Sequence, residues 1–170
     1  MENKTKKAGI LGIGNLLLCD ESFGVHVVEY LEEHYTFPES VTVFDAGTAG
    51  IYMAPFLEEH DPIFVVDIVD LKDRKPGSLC TFTAEDARNG TMNPRMSPHQ
   101  LGIIEILDIC KFRGIEPDCV EFYCVVPETL ATGLEMSEAV ASQVGKMSGL
   151  LVERLQKMGY DIHPKEKEHA

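Results

Sequence analysis

The sequence predicts an α/β fold: one doubly wound domain with a mostly parallel sheet of about five strands flanked by helices. Three observations lead there. Apolar runs of strand length alternate with segments of helical period from one end of the chain to the other. Most of those runs carry Val, Ile, Leu or Phe at successive positions, as strands buried on both faces do. No repeat, low-complexity tract or linker divides the 170 residues. Residues 1–170 are therefore expected to form a single domain, with its core in 8–158 and loose ends at 1–7 and 161–170.

The first strand is expected at 8–14, followed by a helix at 22–34 whose Phe23, Val27, Val28 and Leu31 share one face. A second strand at 41–45 leads to a helix at 50–60, which Pro55 either kinks or delays. Strands follow at 62–67 and 78–83. The next helix opens at Ser97-Pro98-His99-Gln100, where Ser97 suits the N-cap, Pro98 the first turn and Gln100 the capping box, so His99 falls in the first turn. A strand at 119–126 precedes a last helix at 137–158, with Val140, Val144, Met147, Leu151 and Leu155 as its stripe and Gly159 as its stop.

Composition narrows the function. Fifteen basic against 28 acidic side chains give a formal charge of -13, which repels nucleic acid and anionic membrane alike. The apolar runs are too short to span a bilayer. Residues 1–7 lack the apolar centre of a secretory signal, so a cytoplasmic location is expected. The cysteines (Cys19, Cys80, Cys110, Cys119 and Cys124) are odd in number and unpaired in sequence, and read as reduced packing residues.

Ligands of open parallel sheets bind beyond the carboxyl ends of the strands. Ionisable residues gather at those positions here: Asp20 and Glu21 after the first strand, Asp45 at the end of the second, Asp67 at the end of the third, and His99 at a helix start. Together they would make an oxygen- and nitrogen-rich site for a divalent ion with open positions. Each also has a structural reading: Asp45 and Asp67 as turn formers, Asp20 and Glu21 as acids favoured at a helix start, His99 as a capped structural residue. Their convergence is what favours chemistry. His26, His34, His60, His163 and His169 lie away from the strand ends and read as solvated or structural.

The turn Gly12-Ile13-Gly14-Asn15 invites a dinucleotide-binding reading, with Asp45 as the ribose acid, but Leu17 stands where the third glycine should be. A G-x-S-x-G elbow and an H-E-x-x-H helix are both missing, which argues against serine hydrolase and zincin chemistry.

The run from Gly12 to Gly24, patterned G-x-G-N-x-L-x-x-D-[ED]-x-x-G, resembles the N-terminal signature of the hydrogenase maturation proteases. Asp45-Ala46-Gly47-Thr48-Ala49-Gly50, Val65-Val66-Asp67, Ser97-Pro98-His99-Gln100 and Val126-Pro127-Glu128 resemble further segments of that family, in its order. The resemblance implies a doubly wound α/β endopeptidase of aspartate, glutamate and histidine that is metal-dependent, with Glu21, Asp67 and His99 as metal ligands. It implies a partner, the large-subunit precursor of nickel-iron hydrogenase, from which a C-terminal extension is removed after nickel insertion. Nickel would then be carried by the substrate and serve as its recognition element. Asp20 or Asp45 would act as general base or orient a ligand, and the metal would polarise the scissile carbonyl or activate a water. The glycines of the 47–50 turn are expected to admit a peptide backbone closely. A monomer is expected. A non-catalytic, nickel-dependent chaperone or docking factor for the same precursor is the alternative.

Overall fold

Strand β1 (Lys7–Ile13) is buried from its second residue onward, because it lies inside a sheet covered on both faces. The structure, a computed structural model, describes residues 6–90 and 96–166. Helix α1 (Phe23–His34) follows through a 3₁₀ turn at Cys19–Ser22, then the two-residue β2 (Tyr35–Thr36) and β3 (Val41–Gly47). A 3₁₀ turn at Gly50–Met53 runs into α2 (Ala54–Glu59), whose first turn holds Pro55; the proline delays the α-helix rather than kinking it. Next come β4 (His60–Ile68), β5 (Leu79–Thr83), α3 (Ala84–Arg88), α4 (Pro98–Phe112) and β6 (Val120–Val125). The chain ends through α5 (Glu138–Ala141), α6 (Val144–Lys157) and β7 (His163–Pro164).

The main sheet has the order β3-β1-β4-β6-β5, parallel except for the antiparallel edge β5. Alternate residues of β4 feed two cores. Ile63 and Val65 pack with Leu57, Ile103 and Leu107 under α2 and α4, and Phe64 and Val66 pack with Leu31, Met147 and Leu151 under α1 and α6. From β1 the chain turns outward to β3 and then crosses back to β4, so the strand order reverses between β1 and β4. That reversal opens a crevice at their carboxyl ends.

Glycines set how closely α1 lies on the sheet. A Cβ on Gly24 would stand 2.2 Å from the Ile13 carbonyl oxygen and 2.4 Å from that of Val66, and one on Gly12 would stand 2.4 Å from the Gly24 oxygen. The tight approach that sequence motifs seek from a third glycine at position 17 is made here by Gly24, after the turn. It presses the start of α1, and Glu21 just before it, against the reversal point.

The structure differs from the sequence reading in three places. The expected helix at 137–158 is broken, because Gln143 N–H bonds to the Val140 oxygen in a tightened turn before Met147 N–H bonds to Gln143 and starts α6. Helix α3 was not anticipated, although Thr83 and Asp86 form its capping box. The tail expected to be loose from 161 is held as far as Lys165: β7 pairs antiparallel with β2, and Lys165 N–H donates to the His34 oxygen. No described helix is long and apolar enough to cross a membrane.

Candidate active site

Glu21 reaches the crevice from the end of the 3₁₀ turn after β1, and its backbone fixes that turn from both sides. Its N–H donates to the Leu18 oxygen at 3.0 Å, and its own carbonyl accepts from Asn15 N–H at 3.1 Å. A Cβ on Gly14 would stand 2.1 Å from the Glu21 oxygen, so only glycine permits this fold-back. Cys19 takes a left-handed φ of 42°, rare for a residue with a side chain. Its N–H is held by the Gly133 oxygen at 2.9 Å, and its own oxygen accepts from the Ser22 hydroxyl at 2.7 Å.

Asp67, near the end of β4, is wholly buried. One carboxylate oxygen accepts from Ile68 N–H at 2.8 Å and the other from the Ser97 hydroxyl at 3.0 Å. Burial pushes its carboxyl up to about 7; the two hydrogen bonds oppose the shift and the nearby charge of Glu21 adds to it.

His99 lies in the first turn of α4, as its capping sequence predicts. Ser97 Oγ accepts from Gln100 N–H, and Gln100 Oε1 accepts from Ser97 N–H. The cap is also bolted to the sheet. Ser97 donates to Asp67, and the buried Gln100 donates through Nε2 to the Ile68 oxygen at 2.7 Å. These bonds fix the backbone at His99, and its ring stands with Nδ1 3.7 Å from Glu21 Oε1. That separation is too long for a hydrogen bond, and Nδ1, although buried, has no hydrogen-bond partner. The side chains of Glu21 and His99 keep 16% and 18% of their surface exposed, so the pair is reachable from outside. Among the described residues, no three His, Cys, Asp or Glu side chains are disposed to hold a metal ion by themselves.

Asp20 and Asp45 both hold loops in place. Asp20 is fully buried and accepts from the N–H groups of Glu128, Thr129 and Ser137 and from the Ser137 hydroxyl, at 2.7–2.9 Å. Burial alone would raise its pKa, but these bonds outweigh it and hold the carboxyl below its usual value, which makes it a poor proton acceptor. It is a clamp between two loops. Asp45, exposed on β3 at the edge of the sheet, accepts from Gly47 N–H at 2.8 Å and forms the turn in which Gly47 takes a φ of 49°. Around Gly47 a Cβ would meet only Asp45 Oδ1, at 4.0 Å, so its glycine serves the backbone conformation rather than a close contact within the chain.

The remaining histidines follow the structural reading. His26 faces Glu29, His34 stacks on Tyr30, His60 bonds to Phe56 O and Thr42, and His163 faces Asp161, while His169 lies outside the described residues. All five cysteines are free thiols, with Cys80, Cys110 and Cys124 buried in the core.

The comparison with known sequences decides the family. A sequence model of the hydrogenase maturation proteases matches residues 25–154. The chain belongs to that family. The hydrogenase 2 maturation protease of Escherichia coli (strain K12) is 31% identical over 160 residues, covering 94% of this chain and 97% of the relative. The hydrogenase expression/formation protein HoxM of Azotobacter vinelandii is 37% identical over 151 residues, covering 88% and 72%. The solved structure of the hydrogenase maturating endopeptidase HybD from E. coli superposes with a TM-score of 0.86 at 30% identity, over 94% of this chain and 98% of that one. A hydrogenase 2 maturation peptidase from a Thaumarchaeota archaeon superposes with a TM-score of 0.68 at 31% identity, over 89% and 99%. The chain is thus a hydrogenase maturation endopeptidase with the HybD-like α/β fold.

Within that family fold, two side chains of the site escaped the sequence reading in part. Ser97 and Gln100 are legible as a cap, but their bonds to Asp67 and Ile68 join segments 30 and 32 residues apart. The signal available was only that a serine cap and an aspartate both stood at the same end of the sheet.

Proposed function

We propose that this endopeptidase removes the C-terminal extension of the large-subunit precursor of nickel-iron hydrogenase after nickel insertion, and that Glu21, Asp67 and His99 receive the nickel that the substrate carries. The observation that supports this best is the pairing of Glu21 with the unpartnered Nδ1 of His99, beside a buried Asp67 held one hydrogen bond from the His99 cap. Two donor atoms each about 2 Å from one ion stand roughly 3–4 Å apart, and the Glu21–His99 spacing of 3.7 Å is of that size. A ligand set that is incomplete by itself suits an ion that arrives with ligands of its own.

The ion would polarise the scissile carbonyl or lower the pKa of an attacking water. The chain's own part is to position. The Ser97–Gln100 cap orients His99, the bonds of Asn15 and Leu18 orient Glu21, and Ser97 shares Asp67's charge. The free thiols support a cytoplasmic place of action.

The test is a processing assay on the precursor, nickel-loaded and nickel-free, with wild type and His99→Ala. Loss of the extension only with nickel and only with wild type is expected. Cleavage of the nickel-free precursor, or full cleavage by His99→Ala, would overturn the ligand assignment, and a nickel-dependent but uncut complex would favour a chaperone.

A further inference from the structure

The loop between β6 and α5 has no buried residue in 127–137 and touches the core under α1 and α6 only through the partly buried Met136. It is nonetheless fastened closely to the turn that carries Glu21. Gly133 N–H donates to the Leu17 oxygen, Cys19 N–H to the Gly133 oxygen and Asp20 N–H to the Thr129 oxygen, at 2.9, 2.9 and 3.3 Å. The Asp20 carboxylate gathers four more bonds from the same loop. A Cβ on Gly133 would stand 2.8 Å from Cys19 Sγ, so the two strands of this seam lie as close as chains can.

What the fastening holds outward is apolar. Leu16 and Leu17 are 45% and 61% exposed on one side of the seam, and Leu130 and Leu134 are 47% and 72% exposed on the other. Leu16 and Leu17 lie in the turn that Glu21 brackets with its own N–H and carbonyl. Exposed acids, Glu128, Glu135 and Glu138, border the leucines, and no Lys or Arg occurs between 114 and 145. Four exposed leucines held outward on two fastened loops mark a binding surface.

We propose that the fastened loops 16–18 and 128–136 form the platform on which the hydrogenase precursor seats its folded body, through an apolar patch ringed by Lys or Arg, while its scissile segment reaches Glu21 and His99. The inference rests on the substrate proposed above. Two features choose this occupant: the platform is continuous with the site that any protein substrate must reach, and its acidic border on a chain of net charge -13 calls for a basic rim opposite.

The experiment uses the full chain and nickel-loaded precursor. It compares wild type, Leu17→Asp, the double variant Leu130→Asp/Leu134→Asp, and Phe112→Asp as a control at the far end of α4, where the ring is 94% exposed. Expected are a KM raised about tenfold or more in the platform variants with kcat within about twofold, and no change for Phe112→Asp. Hydrogen exchange on wild type gives a reading independent of any variant's folding: the 128–136 amides should slow when the precursor binds. Wild-type cleavage with unchanged KM in the platform variants, an equal loss for Phe112→Asp, or no slowing in 128–136 would each overturn the platform. Failure of wild type itself to bind or cleave the precursor would instead overturn the proposed substrate, and the platform's occupant with it.

Discussion

Replacing Asp67 by asparagine should stabilise the protein as it destroys the site. The carboxyl is wholly buried and its pKa stands at about 7 rather than 3.8. Between those values the folded state keeps a proton that the unfolded state has lost, so wild-type stability falls as pH rises through that window. From pH 5 to pH 8 this single group should cost the wild type about 2.5 kcal/mol, whereas an amide costs nothing over the same range. In Asp67→Asn the amide oxygen can still accept from Ile68 N–H, and Ser97 Oγ can accept from the amide nitrogen, so neither partner is orphaned. Urea unfolding of both proteins at pH 5 and pH 8, read as the difference of the two differences, isolates the effect. The variant should gain on the wild type by about 2.5 kcal/mol between the two pH values, with processing abolished. Equal pH dependence of the two proteins would refute the reasoning, because Asp67 would then ionise as freely folded as unfolded.

Asp20→Ala strands three N–H groups, of Glu128, Thr129 and Ser137, and should cost about 3 kcal/mol at pH 7. Because the folded pKa of Asp20 is lowered, that deficit in urea unfolding should shrink as pH falls below about 4. Gly24→Ala drives a methyl into the backbone oxygens of Ile13 and Val66, which cannot yield as a side chain would; about 3 kcal/mol of stability should be lost by thermal unfolding, and processing with it. Ser97→Ala removes a cap and the donor to Asp67. Stability should fall by about 1 kcal/mol, and since that bond lowers the Asp67 pKa, the acidic limb of the processing pH profile should move to higher pH.

The architecture was legible where a residue's neighbours along the chain determine its state. Strands β1, β4 and β6 announce themselves because burial on both faces leaves unbroken apolar runs, and α4 because its cap is complete within four residues. The antiparallel course of β5 was not read, although no helix separates it from β4 and a parallel crossover needs one. His99, Glu21 and Asp67 were singled out because the carboxyl ends of parallel strands are where ligands bind, and the structure brings Glu21 and His99 within 3.7 Å of each other there. The anchoring part of Asp20 was not legible for a physical reason: its hydrogen-bond partners lie 108, 109 and 117 residues further along, and no local pattern carries that distance. Of the two readings of Asp45, the turn former is visible in its bond to Gly47 N–H.

Those long separations also bear on when the enzyme comes into being. On a ribosome, β1, α1 and β4 are made early and can pair as they emerge, yet the turn bearing Glu21 stays without its anchor until Glu128, Thr129 and Ser137 have left the exit tunnel. Nascent chains up to the end of α4 would therefore hold Asp67 and the His99 cap joined through Ser97 and Gln100, and still lack the bonds that fasten the turn bearing Glu21. The candidate site is completed by segments synthesised after all three of its candidate residues.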